Sequence, residues 1–204
     1  MTAIDDQATL QLSDDAQDLL FRAARTANTF SSEEVTDDQI RAIYDLVKWG
    51  PTSMNQQPLR LVLIRSEEGK RRLVPHLAEG NRAKTESAPL VAVLAADLDF
   101  HENLPKVFPI KPDAKDMWAA DADFRAEHAK LNGTLQVGYF ILGVRAAGLA
   151  AGPMTGFDAA GINAEFFPDG RKQVLVVVNI GKPGENPWFD RLPRLDYDEV
   201  VTTL

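Results

Sequence analysis

Short runs rich in leucine and β-branched residues predict strands along this chain. Such runs cover residues 59–65, 89–96 and 173–181, the last of which reads QVLVVVNIG. The run at residues 89–96 is continuously apolar, which is typical of a strand that is covered on both faces. The three runs therefore predict the central part of a β-sheet.

Helical spacing predicts most of the remaining elements. Ile40, Ile43, Tyr44 and Val47 repeat with a helical period behind a capping residue, Thr36. The middle of the longest predicted helix, residues 133–143, is small and apolar, so we expect it to be buried. A last short helix or capped turn follows a proline-rich tail. In full, the predicted helices before that tail cover residues 14–27, 36–49, 66–78, 121–147 and 157–166.

The order of these elements is rich in helices and lacks strict strand-helix alternation. We therefore predict an α+β fold with one mixed central sheet, as a single domain over residues 14–204 behind a flexible tail at residues 1–13. Residues 97–117 contain prolines, charges and aromatics without periodicity, which is typical of a functional lid or binding loop. Trp118 and Phe124, in or beside this excursion, are candidates to close over a substrate.

Composition narrows the functional classes. The net charge of −8 and the pI near 4.9 argue against a nucleic-acid partner and against docking on anionic membrane lipid. The chain has no cysteine, and His76, His101 and His128 do not form a metal-binding motif, so we expect no metal. The chain has no apolar run of about 20 residues and no secretory pattern, so we expect a cytoplasmic protein.

The loop at residues 50–58, GPTSMNQQP, is dense in hydroxyl and amide groups. Such groups suit a flat heterocyclic ligand, although the same residue types also make ordinary turns. The spacing P-[ST]-S-x-N-x-Q-P directly before a strand favours the ligand site, because it resembles the signature of the nitroreductase flavoprotein family. The matching residues are Pro51, Thr52, Ser53, Asn55, Gln57 and Pro58.

Three further segments resemble the same family in the same order. Asn81 and Lys84 fit its N-x-x-K pair, whose lysine reaches the flavin ring. Arg191 and Arg194 fit the basic segment that holds the FMN phosphate. Taken alone, the segment with Asn81 and Lys84 also fits a solvated helix face, and the segment with Arg191 and Arg194 also fits a charged tail. A further segment, described next, also fits an ordinary turn. The third segment, residues 152–158, resembles the P-x-x-G-F-D/N stretch that passes near flavin N5, with Pro153, Met154, Thr155 and Gly156 as candidate contacts.

Two departures from the family pattern concern the phosphate and the N5 side of the flavin. Arg25, Thr26 and Asn28 occupy the places of the family's N-terminal motif, but Ala24 and Asn28 stand where it often has basic residues, so Arg22 is a candidate substitute. Thr155 stands where many members carry an acidic residue. Its hydroxyl is the one weak candidate for a catalytic proton donor.

The resemblance implies FMN as cofactor, NADH or NADPH as co-substrate and a homodimer whose chains share each site. The loop residues Pro51, Thr52, Ser53 and Asn55 would come mainly from one chain. Its partner would mainly supply Arg25, Thr26, Asn28, Asn81, Lys84, Arg191 and Arg194. Residues 46–65, 80–85, 152–158 and 191–195 most resemble the branch that includes malonic semialdehyde reductase, which implies reduction of a small aldehyde to 3-hydroxypropionate. The alternatives are a broad-range nitro, quinone or flavin reductase, and a flavin carrier or sensor without turnover.

Overall fold

The computed structural model describes residues 10–204, so most of the predicted N-terminal tail lies outside the described residues. The strands are β1 (Leu59–Ile64), β2 (Leu90–Asp97), β3 (Ala150–Met154) and β4 (Lys172–Gly181). The helices are α1 (Asp14–Gln17), α2 (Asp37–Val47), α3 (Glu67–Leu73), α4 (Glu79–Ser87), α5 (Leu104–Val107), α6 (Ala114–Ala119), α7 (Ala122–Ala146), α8 (Ala159–Phe166) and α9 (Tyr197–Val200).

The described strands form one sheet in the order β1-β2-β4-β3, and every neighbouring pair is antiparallel. The α+β class is confirmed, but the expected mixed sheet is corrected. Parallel pairing occurs in the described chain only as an isolated bridge between Thr26 and Ala151. The sequence alone does not predict β3, because its segment AAGPM contains a glycine and a proline. An edge strand tolerates Pro153, since one side of it has no ladder partner.

The sheet is buried between two layers of helices, and β2 lies at the centre of the core. All eight residues of β2 are buried. Leu90 and Leu94 pack with α2 and α7 on one face, while Val91 and Val93 pack with α3 and α8 on the other. The unbroken apolar run therefore reflects a strand that is covered on both faces, as predicted.

The long helix α7 is covered on one face only. It buries Gly133, Val137 and Phe140 against the sheet, whereas Leu131 and Leu135 on its outer face are 61% and 51% exposed. The expectation that residues 133–143 are buried is thus right for the inner face and wrong for the outer one. Neither α7 nor any other helix within residues 10–204 combines the length and apolar character needed to cross a membrane.

Tertiary contacts move two predicted helix boundaries. The first helix consists of α1 and a π-helical turn at Asp18–Arg22 rather than residues 14–27, because the backbone from Thr26 onward pairs with other segments. The helix predicted over residues 66–78 is capped by Ser66 but ends at Leu73, shortly before Pro75, which has no N–H to donate. The excursion at residues 97–117 folds into a 3-10 turn, α5 and the start of α6.

Candidate functional site

The N-terminal and C-terminal segments of the described chain lie side by side at the β3 edge of the sheet. Thr26 forms its parallel bridge with Ala151 of β3. The Asn28 backbone N–H donates to the Pro187 carbonyl at 3.0 Å. Backbone pairing thus brings the predicted N-terminal phosphate motif next to the predicted basic tail.

These two segments enclose a cleft of about 290 Å³ whose wall is rich in arginine. The cleft unites every phosphate-binding residue predicted from the N-terminal motif and the basic tail, and it adds Arg145. Within residues 10–204 none of its arginines forms a salt bridge, although Asp190 also lines the cleft. The wall includes Arg25, Thr26, Asn28, Arg145, Arg191 and Arg194.

Backbone carbonyls accept hydrogen bonds from all four of these arginines, and two of the arginines bridge the N-terminal and C-terminal segments. Arg191 Nη2 donates to the carbonyls of Arg22 and Ala24 at 2.6 and 3.2 Å, and Arg25 Nη1 donates to the Phe189 carbonyl at 3.1 Å. Carbonyl acceptors fix the direction of a guanidinium but leave its positive charge uncompensated. The cleft therefore offers the cationic fork donors that a phosphate group prefers.

Arg145 is the cleft residue that the sequence analysis did not select. It stands in the last turn of α7, and its Nη1 donates to the Leu20 carbonyl at 3.3 Å. Burial and then the charge of Arg191 lower the pKa of Arg145. The available signal was a lone charge at the end of an otherwise apolar helical stretch, a position where an arginine is uncommon without a partner.

Arg22, the candidate substitute for the missing motif arginine, is engaged elsewhere. It forms salt bridges with Asp14 at 2.9 Å and with Asp18 at 2.7 Å. The hydrogen bond with Asp14 and these two charges raise the pKa of Arg22. Its guanidinium is not part of the cleft wall, whereas Arg145 lines it.

Helix α4 presents Asn81 and Lys84 one turn apart, and Asn81 ties this helix to the segment after β3. Asn81 Nδ2 donates to the Gly156 carbonyl at 3.0 Å, and the Ala78 N–H donates to the same carbonyl at 2.9 Å. A Cβ at Gly156 would lie 3.0 Å from Asn81 Nδ2. The two predicted motifs therefore form one unit, with Thr155 and Gly156 exposed at its surface.

A buried polar pair supports Asn81 from the core. Thr85 Oγ1 donates to the Asn81 carbonyl at 2.8 Å, and Asn179 Nδ2 of β4 donates to Thr85 Oγ1 at 3.1 Å. Both Thr85 and Asn179 are fully buried. Sequence reasoning missed this support, although the signal was present, since Asn179 is a polar residue inside the apolar run of β4.

The loop before β1 has an unusual backbone. Met54, Asn55 and Gln57 have φ angles of 49°, 52° and 47°, a left-handed conformation that residues other than glycine rarely adopt and that concentrates at ligand sites. Thr52 Oγ1 accepts from the Gln57 N–H at 3.2 Å. The loop is held in shape by its own side chains, while Pro51, at its start, is exposed.

Helix α7 and helix α5 anchor this loop from outside. The Ser53 N–H donates to Asn132 Oδ1 of α7 at 2.8 Å, and Asn55 Nδ2 donates to the Val107 carbonyl of α5 at 2.7 Å. The Leu59 N–H donates to the side chain of Gln136, one helical turn after Asn132. Sequence analysis selected neither amide of α7, although their spacing of four residues places both on one helix face.

The predicted cofactor residues form two separate groups within one chain. The Pro51–Asn55 part of the loop precedes β1, whereas Lys84, Gly156 and the arginine cleft adjoin β3, and these two strands are the outer strands of the sheet. Three strand spacings separate β1 from β3 by about 14 Å. The hydroxyls of the loop therefore belong to the opposite edge of the sheet from the arginine cleft.

The two candidate lid residues differ in their packing. Trp118 is only 7% exposed and has a T-shaped contact with Phe100 at 5.4 Å, so it packs as a core residue. Phe124 stacks on Trp118 at 5.4 Å and remains 49% exposed. The ring of His128 completes this cluster. The part of the chain that the structure describes contains no group of three or more side chains able to hold a metal ion.

Comparison with known proteins assigns the family. Residues 21–182 match the model of the Nitroreductase family, so the chain belongs to that family. A Streptomyces griseus protein, provisionally named NADH dehydrogenase/NAD(P)H nitroreductase, is 64% identical over 189 residues, which cover 93% of this chain and 96% of the relative. A Stenotrophomonas maltophilia protein of the same provisional name is 47% identical over 186 residues, covering 91% and 94%.

Solved structures share the fold at low sequence identity. A protein from Exiguobacterium sibiricum, solved in complex with FMN, has a TM-score of 0.81 at 19% identity and covers 96% of this chain and 100% of its own. An enone reductase of gut-bacterial fatty acid saturation has a TM-score of 0.79 at 18% identity, covering 94% and 99%. These likenesses establish the nitroreductase-like fold.

Proposed function

We propose that this protein is an FMN-dependent, NAD(P)H-using oxidoreductase that reduces a small acceptor molecule. The observation that carries the proposal is that β3 has the arginine cleft beside its start, through the Thr26–Ala151 bridge, and the Asn81–Gly156 unit directly after its end. The relatives' names describe NAD(P)H-linked reduction, and one structure of this fold is in complex with FMN.

The residues present fit the chemistry of this cofactor. The cleft supplies cations for a phosphate group, which carries about −1.5 to −2 charge at neutral pH. Gly156 allows the backbone to approach a flat ring closely, because no side chain intervenes. When bound, FMN supplies reversible hydride chemistry, which no side chain of this protein provides.

The protein's own groups orient the reactants and stabilise charge. Lys84 lies one helical turn from Asn81, which is held by the Gly156 carbonyl, so its ammonium is directed to the same edge. A positive charge at a flavin ring stabilises negative charge that develops there on reduction. Thr155, exposed at the end of β3, is the candidate hydroxyl for protonating a reduced acceptor.

We infer that a second copy of the chain completes the site. The loop hydroxyls and the arginine cleft lie at opposite sheet edges of one chain, so a shared site requires the loop of another chain. Leu131, Leu135 and Tyr139 leave an apolar stripe on the outer face of α7, and Trp49 beside the loop is 80% exposed. Apolar surface of this extent favours protein association.

The C-terminal segment supports the same inference. Phe189, Leu192 and Leu195 are 78%, 73% and 68% exposed within one short segment, and clustered apolar surface of this kind is typical of association sites. A segment of this kind fits an arm that wraps around a second copy, as in an entwined homodimer.

Sedimentation of the purified protein tests the shared site. Leu135→Lys places a charge on the apolar stripe, so it should convert the dimer to a monomer and abolish FMN retention. Ala160→Lys, which adds the same charge on the exposed surface of α8, should leave the dimer intact. An unsubstituted protein that is monomeric, FMN-loaded and active would refute the inference.

For the acceptor we propose a small aldehyde such as malonic semialdehyde. The balanced reaction consumes one aldehyde, one NAD(P)H and one proton and releases 3-hydroxypropionate and NAD(P)⁺. The support is the resemblance of residues 46–65, 80–85, 152–158 and 191–195 to that branch of the family. The second candidate is a broad-range nitro, quinone or flavin reductase, which the names of the relatives favour.

Visible spectroscopy under anaerobic conditions tests cofactor and reaction together. Flavin bands that bleach with NADPH or NADH and return with malonic semialdehyde would support the aldehyde reductase. Bleaching that is reversed only by nitrofurazone or a quinone would support the second candidate. Bands that never bleach would instead indicate a flavin carrier or sensor, and no band after addition of FMN would refute the proposed function.

Steady-state kinetics separates the two reductases. The ratio of kcat/KM for malonic semialdehyde to that for nitrofurazone ranks the acceptors directly. Because the nicotinamide and the acceptor would use one site in turn, parallel lines are expected in double-reciprocal plots. Intersecting lines would contradict a shared site.

A further inference from the structure

We infer that Arg145 binds the phosphate of the flavin nucleotide and replaces one of the two basic residues that the N-terminal motif lacks, so that it sets the preference for FMN over riboflavin. This inference rests on the proposed function. It assigns to one residue of α7 a role in the phosphate site that neither the motif nor the family resemblance gives it.

The geometry of the cleft carries the inference. Arg145 shares the cleft wall with Arg25, Arg191 and Arg194, and the opposing charge in that wall comes from Asp190 alone. None of the four arginines has a carboxylate oxygen within salt-bridge distance in the described chain. Clustered like charges repel one another, so an anion in the cleft stabilises the arrangement.

An unsatisfied donor points to the same conclusion. The Nε of Arg145 is buried and has no hydrogen-bond acceptor within residues 10–204. A buried donor without a partner destabilises the protein, because the hydrogen bond it made to water is lost and not replaced. Arg145 lines the cleft, so a phosphate there would compensate the charge of its guanidinium, and a small rotation of the side chain toward the phosphate would give the Nε an acceptor.

The sequence explains why Arg145 is needed. The family's N-terminal motif often carries two further basic residues at positions that are here Ala24 and Asn28. Both residues line the cleft, so the charge is missing at the place where Arg145 enters from α7. Arg22 does not supply it, because Asp14 and Asp18 bind its guanidinium.

A purely structural role for Arg145 is the competing explanation. An arginine in the last turn of a helix stabilises the helix through its dipole. The two roles predict opposite effects on the protein without cofactor. Removing a helix-stabilising charge lowers the Tm, whereas removing a buried charge that waits for a ligand leaves the Tm unchanged or raises it.

Flavin titrations of the cofactor-free, full-length protein test the inference. FMN and riboflavin are added separately, and the Kd of each is measured by the quenching of flavin fluorescence. Arg145→Met removes the charge and keeps the length of the side chain, whereas Arg145→Lys keeps the charge. Arg71→Met, an exposed arginine of α3 that pairs with Glu68, is the matched control.

Arg145→Met is expected to raise the Kd for FMN by about 10- to 100-fold, since a hydrogen bond to a charged group contributes about 1.5–3 kcal/mol. The Kd for riboflavin, which has no phosphate, should not change. Arg145→Lys should restore part of the FMN affinity, and the Tm of the cofactor-free protein should not fall.

Two results would overturn the inference, and they differ from failure of the proposed function. An equal loss of FMN and riboflavin affinity with a lowered Tm would show that Arg145 only stabilises the fold. An unchanged ratio of the two Kd values would show that it does not contact the phosphate. If the unsubstituted protein binds neither flavin, the proposed function itself is wrong.

Discussion

Asn81 Nδ2 donates to the Gly156 carbonyl at 3.0 Å, so the helix that carries Lys84 and the segment that follows β3 are joined at the candidate site. The contact connects two motifs that are separated by 75 residues in sequence. The position of the Asn81 side chain also depends on residue 156 being a glycine, because a Cβ there would press against the same amide nitrogen.

Gly156→Ala tests this coupling. The added methyl group lies 3.0 Å from Asn81 Nδ2, and overpacking of this kind costs about 1–3 kcal/mol. We expect FMN affinity to fall by about 10- to 100-fold, measured by fluorescence titration. Gly80→Ala is the matched control, since a Cβ at that position would have no neighbouring atom within 4 Å and alanine suits a helix interior better by about 0.5–1 kcal/mol. Equal FMN affinity in the two variants would contradict the coupling.

Lys84→Met tests the cation assigned to the flavin ring. Methionine keeps much of the side-chain length and removes the charge, so bound FMN should show a lower reduction potential and slower bleaching by NADPH. Stopped-flow absorbance and redox titration measure these two quantities. Lys172→Met, which removes a lysine paired with Asp169, should change neither. If both quantities match the unsubstituted protein, Lys84 does not act on the ring.

Asn132→Ala tests the anchor of the loop before β1. The substitution removes the acceptor of the Ser53 N–H, which Asn132 Oδ1 binds at 2.8 Å, and loss of the partner of such a donor costs about 1–3 kcal/mol. Urea unfolding should show this loss. Thr134→Ala removes a hydroxyl that donates to the Lys130 carbonyl of the same helix, so it should have a smaller effect. Equal free energies of unfolding in the two variants would refute the anchor.

His101 should make the protein sensitive to acid. It is 6% exposed, and burial, followed by the charges of Arg125 and Lys115 against those of Glu102 and Asp99, lowers the pKa of His101 below its ordinary 6.5. The unfolded chain therefore takes up a proton at a pH where the folded chain does not. Stability falls as the pH drops below about 6.5 and stops falling below the folded pKa.

The measurement is the free energy of unfolding in urea between about pH 7.5 and about pH 5. His101→Gln cannot titrate, so it should remove this part of the acid dependence, even if the glutamine lowers the stability at neutral pH. A variant with the same slope against pH as the unsubstituted protein would show that other groups cause the acid sensitivity.

Much of the fold could be read from local sequence. The apolar runs of β1, β2 and β4 and the period of α2 are local signals, because burial on two faces or on one stripe dictates the residue pattern directly. The loop motif was equally local, since its residues adjoin in the chain. The sequence did not predict β3, because this strand is stabilised by pairing with β4 and not by its own composition.

The sequence by itself determined the family, the α+β class and the set of residues that suit a flavin nucleotide, because motifs and periodicity are properties of neighbouring positions. Tertiary structure alone decided which of them meet. It showed the strand directions, the pairing of the N-terminal and C-terminal segments, and the position of Arg145 in the wall of the arginine cleft, of which Arg22 is not part. These features depend on contacts between residues that are far apart in the chain. A local sequence pattern does not specify such contacts, for example the one that brings the end of α7 to the arginine cleft.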